Sequence, residues 1–151
     1  MSAPYAIRIH GTGGPDVLSK ESIDLKQPGP GQALVRQSAV GLNFIDTYFR
    51  TGLYPAKFPF TPGGEGAGVV ESVGEGVTNL KVGDRVGYVS SGTYATHVTL
   101  PAANLLPLPD GISDEEAAAV MLKGLTAWML LFEIRPIKKG DTLLVWAPVG
   151  G

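Results

Sequence analysis

Pro62-Gly63-Gly64-Glu65-Gly66-Ala67-Gly68-Val69-Val70 carries four of the six glycines that fall between Gly63 and Gly76, and they surround the apolar run Ala67-Gly68-Val69-Val70. Glycine inside an extended run removes the side chain that keeps neighbouring backbone at a distance. The pattern therefore predicts a strand whose backbone passes close to something. No helix pattern follows it, so close packing, not phosphate binding, is the expected use. On the C-terminal side Gly83-Asp84 reads as a turn, Arg85 to Val89 as a strand, and Thr93 to Leu100 as another. On the N-terminal side Tyr5 to Ile9, Val17 to Leu25 and Gln32 to Gly41 are further strand candidates, punctuated by Gly11-Thr12-Gly13-Gly14-Pro15 and Gln27-Pro28-Gly29-Pro30-Gly31. Between them Asn43 opens a short helix with Phe44 and Tyr48, and Ile45 and Phe49, at spacings of four; Gly52 ends it. This density of short strands predicts a barrel or sandwich.

The character changes after Pro109. Ser113-Asp114-Glu115-Glu116 is a capping box that starts a helix through Ala117-Ala118-Ala119. A second, apolar helix is expected from Leu122 to Ile134, with Leu122, Leu125, Met129 and Phe132 on one face. Thr142 to Trp146 has no polar face and reads as a strand buried on both sides, the mark of a parallel sheet. It runs into Ala147-Pro148-Val149-Gly150-Gly151, and a buried strand entering a Gly-rich turn is how a dinucleotide-binding unit begins.

Composition narrows the class. Gly (21) and Pro (12) make up about a fifth of the 151 residues, which argues against a helical bundle. A hydrophobic fraction of 44% supports a packed core. A net charge of −2 without a basic run argues against a nucleic-acid partner. No stretch reads as 18 consecutive apolar residues, and the N-terminus has no leader pattern, so the expectation is a cytoplasmic protein without a membrane partner. The chain has no cysteine, which removes thiolate metal sites and thiol catalysis, and His10 and His97 make no metal cluster by themselves.

Gly41-Leu42-Asn43-Phe44-Ile45-Asp46-Thr47-Tyr48, Gly52-Leu53-Tyr54-Pro55, the Pro62 to Val70 stretch, Gly83-Asp84-Arg85-Val86 and Leu122-Lys123-Gly124-Leu125-Thr126-Ala127 occur in one order. Together they resemble the quinone oxidoreductases of the medium-chain dehydrogenase/reductase superfamily, across essentially the whole chain. The resemblance implies a mainly β fold with α: a GroES-like, partly open β-barrel catalytic domain over residues 1–120. Residues 121–151 are then the first helix and strand of a truncated NADPH-binding Rossmann domain. Family members run to roughly twice this length, so the chain is expected to be a fragment that does not bind NADPH tightly alone.

Zinc-dependent alcohol dehydrogenases, similar in this region, hold their metal with a Cys where Asn43 stands and a His where Gly64 stands. Neither residue here supplies a thiolate or imidazole. After Tyr88, Ser90-Ser91-Gly92-Thr93 leaves no room for a four-Cys lobe. The zinc-free branch, with no metal ligands, is the better match. The resemblance places Asn43 and Tyr54 at the substrate as catalytic hydrogen-bond donors, and Asn43, Asp46, Lys123, Thr126, Gly150 and Gly151 around the cofactor. It gives Glu65, with Asp46, a structural role behind the vacated metal position.

Each of these residues also has a plainer use. Asn43 suits a helix N-cap, Tyr54 a surface turn, Lys123 an exposed helix face, and Thr126 a bond to its own helix carbonyls. The expected activity is hydride transfer from NADPH to a quinone or similar conjugated carbonyl. An enoyl or alkenal reductase, or a non-catalytic GroES-like binding module, are the alternatives. Apolar surface on the last helix and strand predicts a homo-oligomer.

Overall fold

The computed structural model describes residues 3–146. In chain order the elements are β1 Tyr5–Arg8, β2 Ser19–Ser22, β3 Gln32–Val40, α1 Phe44–Thr51, β4 Glu65–Val73, β5 Arg85–Val89, β6 His97–Pro101, β7 Leu106–Pro107 and α2 Asp114–Trp128. Five strands form an antiparallel sheet in the order β6-β3-β4-β5-β7, while β1 and β2 pair separately. Bridges between Ala6 and Ala95 and between Ile9 and Phe60 fasten that ribbon to the loops of the larger sheet. The fold is mainly β with two α-helices, and the sheet does not close into a complete barrel.

Alternation places the core. β3 contributes Ala33 and Val35, β4 Val70, and β5 Val86 and Tyr88, with Leu80, Leu100, Ala102 and Leu105 completing one apolar cluster. The glycine-rich stretch is the central strand β4, held between β3 and β5. The pairing of β3 with β4 slips between Gln37 and Ala39, a bulge opposite Gly68. There the backbones meet: a Cβ on Gly68 would lie 2.1 Å from the Arg36 carbonyl oxygen. A Cβ on Gly66 would crowd the Gln37 amide at 2.7 Å and the Tyr88 hydroxyl at 3.1 Å. Its absence leaves room for Tyr88 to donate to Gln37 Oε1 at 2.8 Å.

α1 ends at Gly52, whose φ of 84° is the left-handed cap that glycine adopts without steric cost. α2 begins at the expected capping box, where the Glu116 amide donates to Ser113 Oγ at 3.1 Å and the Ser113 amide donates to Glu116 Oε2 at 2.8 Å. Replacing Ser113 with Ala should cost about 1 kcal/mol, read from the midpoint of urea unfolding. The buried Ala117 and Ala118 then pack on Ala67 of β4, their small side chains letting the helix lie close to the sheet.

Several elements differ from the expectations. The two helices are one: α2 runs through Gly124 and continues as π-helical turns over Met129–Ile134. Because they join, the apolar stretch is longer than either half suggests. Asp114–Ile134 is 21 residues and contains an 18-residue window with a mean hydropathy of 1.6, long and apolar enough by length and composition alone to cross a bilayer.

Thr142 to Trp146 is not a buried strand. It has no strand pairing, and Leu144 and Trp146 are each 88% exposed. A strand apolar on both faces needs parallel neighbours and helices over it, and none lies among the described residues. The second strand spans only Ser19–Ser22, because Pro15–Val17 winds into a 3-10 turn. In the Thr93 to Leu100 segment regular pairing begins at His97.

Candidate functional site

The site grows from Glu65, the first residue of β4 and the single charged side chain in the Pro62 to Val70 stretch. Its side chain is fully buried. Oε1 accepts from Asn43 Nδ2 at 2.8 Å and from Lys123 Nζ at 2.8 Å, while Oε2 accepts the Leu122 backbone N–H at 2.7 Å. One carboxylate thus ties the start of α1 to the middle of α2. Burial pushes its pKa up, but Lys123, the Leu122 amide and Asn43 outweigh burial and hold the carboxyl below its ordinary range. Lys123 reaches this carboxylate while its side chain stays 37% exposed.

Asn43 stands at the N-cap of α1, but its amide nitrogen faces Glu65. The capping contact at its own backbone comes from Asp46: the Asn43 N–H donates to Asp46 Oδ2 at 2.9 Å. Asn43 thus occupies the N-cap position while its side-chain amide nitrogen donates to Glu65, and one N–H of that amide is left over. Thr126 donates its hydroxyl to the Leu122 carbonyl at 2.7 Å, the plainer use, and keeps its oxygen as an acceptor.

Asn43, Lys123 and Thr126 share an open groove of about 480 Å³. Asn43, Phe44 and Ile45 form one wall, and Leu122, Lys123, Thr126, Ala127 and Leu130 form the other. A shallow, mostly apolar trough with an amide, an ammonium and a hydroxyl on its walls fits a flat carboxamide-bearing ring, such as the nicotinamide end of a dinucleotide. The donor set suits such a ring, and it offers no thiolate or imidazole to a transition metal.

Asp46 lies elsewhere. It lines a smaller cavity of about 180 Å³ with Leu18, Leu42, Arg50, Pro62 and Tyr94, which meets the groove at Asn43. Both oxygens of Asp46 are engaged, Oδ1 by the Gly63 N–H at 3.2 Å and Oδ2 by Asn43 and the Tyr94 hydroxyl at 3.0 Å. Tyr54 lines neither cavity. It packs edge-on against Tyr48 and Phe49, with ring centroids 5.5 and 5.8 Å away, and is 44% exposed. Gly150 and Gly151 lie outside the described residues.

Two residues at the centre were not singled out for the site by sequence. The resemblance gives Glu65 only a structural place, although the one carboxylate of the Pro62 to Val70 stretch and the one ammonium of α2 are a complementary pair. Tyr94 carried no signal at all.

The model of the alcohol dehydrogenase GroES-like domain matches residues 29–110. A quinone oxidoreductase of Pseudomonas aeruginosa is 49% identical over 148 residues, covering 96% of this chain and 46% of its own length. A 2-haloacrylate reductase of a Burkholderia species is 41% identical over 151 residues, covering 95% of this chain and 45% of its own. The crystal structure of the Escherichia coli quinone oxidoreductase complexed with NADPH superimposes with a TM-score of 0.84 at 42% identity. That match covers 89% of this chain and 42% of the other. The chain therefore spans about half the length of the relatives it matches.

Proposed function

We propose, for a chain that belongs to the alcohol dehydrogenase GroES-like domain family, that the groove between α1 and α2 is the reaction site of an NADPH-dependent quinone oxidoreductase. The observation that carries it is the meeting of Asn43, Lys123 and Thr126 on that groove around the buried Glu65 carboxylate. NADPH, when bound, supplies a hydride. The chain's own residues supply placement and electrostatics.

Phe44, Ile45, Ala127 and Leu130 offer flat apolar surface that excludes water from a ring. The spare N–H of Asn43 and the remaining N–H groups of Lys123 point charge-stabilising donors at a carbonyl oxygen that gains negative charge. Glu65 keeps both donors fixed, so no reorganisation is needed as the charge forms. Thr126 Oγ1 is placed to accept from a carboxamide. In this reading Asp46 holds α1 from behind, and Tyr54 takes no part in the chemistry because it packs away from the groove.

The division at residue 120 belongs to the same proposal: residues 1–120 are catalytic domain and 121–151 begin the nucleotide-binding domain. The exposed Leu125, Trp128, Phe132 and Trp146 then pack within the complete protein and its homo-oligomer, in the cytoplasm. The site works without zinc, since Asn43 and Gly64 stand at the ligand positions and offer an amide and a hydrogen.

Asn43→Ala in the complete protein should lower kcat/KM for 1,4-benzoquinone about 100-fold, the size expected for one oxyanion donor, with the fold intact by circular dichroism. Unchanged kinetics would remove Asn43 from the site. The 2-haloacrylate reductase relative favours a second reading, reduction of a conjugated carbonyl, because the same donors would stabilise an enolate. Rates on a quinone panel against an enal panel separate the two.

A further inference from the structure

The position of Asn43 is not set by α1 alone, although Asp46 in the first turn of that eight-residue helix caps it. Its backbone N–H ends on Asp46 Oδ2, and the same oxygen receives the phenol of Tyr94 at 3.0 Å, from a loop about fifty residues away in sequence. We propose that Tyr94 is a positioning residue that holds Asn43 in place through Asp46. The proposal rests on Asn43 having the role given above.

The geometry makes Tyr94 a firm reference point. Its backbone N–H donates to the Pro62 carbonyl at 2.9 Å, and Gly92 N–H donates to the Gly63 carbonyl at 3.0 Å. The loop is therefore laced to the turn that precedes β4. On its other side Gln37 Nε2 of β3 donates to the Thr93 carbonyl at 2.9 Å and also to that of Ala95, while Gln37 Oε1 takes the buried Tyr88 hydroxyl of β5. Contact passes from the sheet core through Tyr88, Gln37, the 93–95 backbone, Tyr94 and Asp46 to Asn43.

Asp46 is buried, and its second oxygen binds the Gly63 N–H. Loss of the phenol therefore leaves one carboxylate oxygen short of a donor in a place where water has little access. Burial, and then the charge of Asp46, raise the pKa of the Tyr94 phenol, so it stays a donor throughout the working pH range. A shift of about 1 Å in a reacting group suffices to cost a large factor in rate, so a carboxylate that loses one of its three donors and loosens is felt at Asn43.

The test has two readouts in the complete protein. Amide hydrogen exchange at Asn43 should quicken about 10-fold in Tyr94→Phe, with neighbouring strand amides unchanged. In quinone reduction with NADPH, Tyr94→Phe should lower kcat about 10-fold at constant KM for NADPH, and should have no added effect once Asn43 is Ala. Unchanged exchange at Asn43, or kinetic effects of Tyr94→Phe and Asn43→Ala that simply multiply, would overturn the proposal. If Asn43→Ala leaves turnover unchanged, the proposed function of Asn43 falls, and exchange alone then decides whether Tyr94 holds it. Should Tyr94→Phe fail to fold, Asp46→Asn preserves the shape while weakening the same link, and faster exchange at Asn43 is expected there too.

Discussion

Replacing Glu65 with Ala should destabilise the protein by about 4 kcal/mol, the largest single-residue loss expected in this fold. The carboxylate is fully buried and accepts from Asn43, Lys123 and the Leu122 backbone. Removing it strands a main-chain N–H and a side-chain amide and opens a cavity at the base of β4. Lys123 is part-exposed and turns to water, which limits its share of the cost.

Glu65→Gln keeps the volume and one acceptor oxygen, so about 2 kcal/mol is expected, and it separates charge from packing. The sign of the pH effect follows from the direction of the shift. The folded pKa lies below the ordinary glutamate value, so the charged form is favoured by folding. That stabilisation is complete above the unfolded pKa and is lost as pH falls through the folded one. Denaturant midpoints measured from pH 7 down to pH 3 should show the gap between parent and Glu65→Gln narrowing below about pH 4.5. A gap that is constant over that range would mean that the carboxylate charge contributes nothing.

Gly68→Ala should cost about 3 kcal/mol, at the upper end of overpacking effects. The added methyl would sit 2.1 Å from the Arg36 carbonyl oxygen and 2.8 Å from Gln37 Cα, and backbone cannot rotate away as a side chain can. Relief requires β3 and β4 to separate at the bulge, next to Gln37 and its bonds to the 93–95 loop. The consequence therefore reaches the site as well as the sheet. Gly111→Ala is the matched control: its Cβ would meet nothing within 4 Å, and its stability should stay within about 0.5 kcal/mol of the parent. Equal melting temperatures for the two variants would refute the close-approach account of the glycine stretch.

Much of the architecture could be read locally. The strands around Pro28–Gly31 and Gly83–Asp84, the end of α1 at Gly52 and the Ser113 capping box follow from turn and cap chemistry within a few residues. Asn43, Lys123 and Thr126 were legible as a group from their motifs, and the groove brings the three together. Tyr54, drawn from a motif of the same kind, packs on Tyr48 and Phe49 instead. A motif places a residue on an element but does not aim its side chain. Thr142 to Trp146 failed for another reason: its apolarity is real, but a strand exists only with partners, and none is among the described residues.

The amino-acid order by itself determined which segments extend, where helices begin, and that β4 must run against neighbouring backbone, because dihedral preference and steric room are properties of short windows. Tertiary structure alone decided that Glu65 would become the buried hub between two helices, and that Tyr94 would reach Asp46 from a loop 48 residues away. The strength of those contacts depends on removing charge and hydrogen-bonding groups from water, and only the assembled sheet and helices determine which groups leave water together.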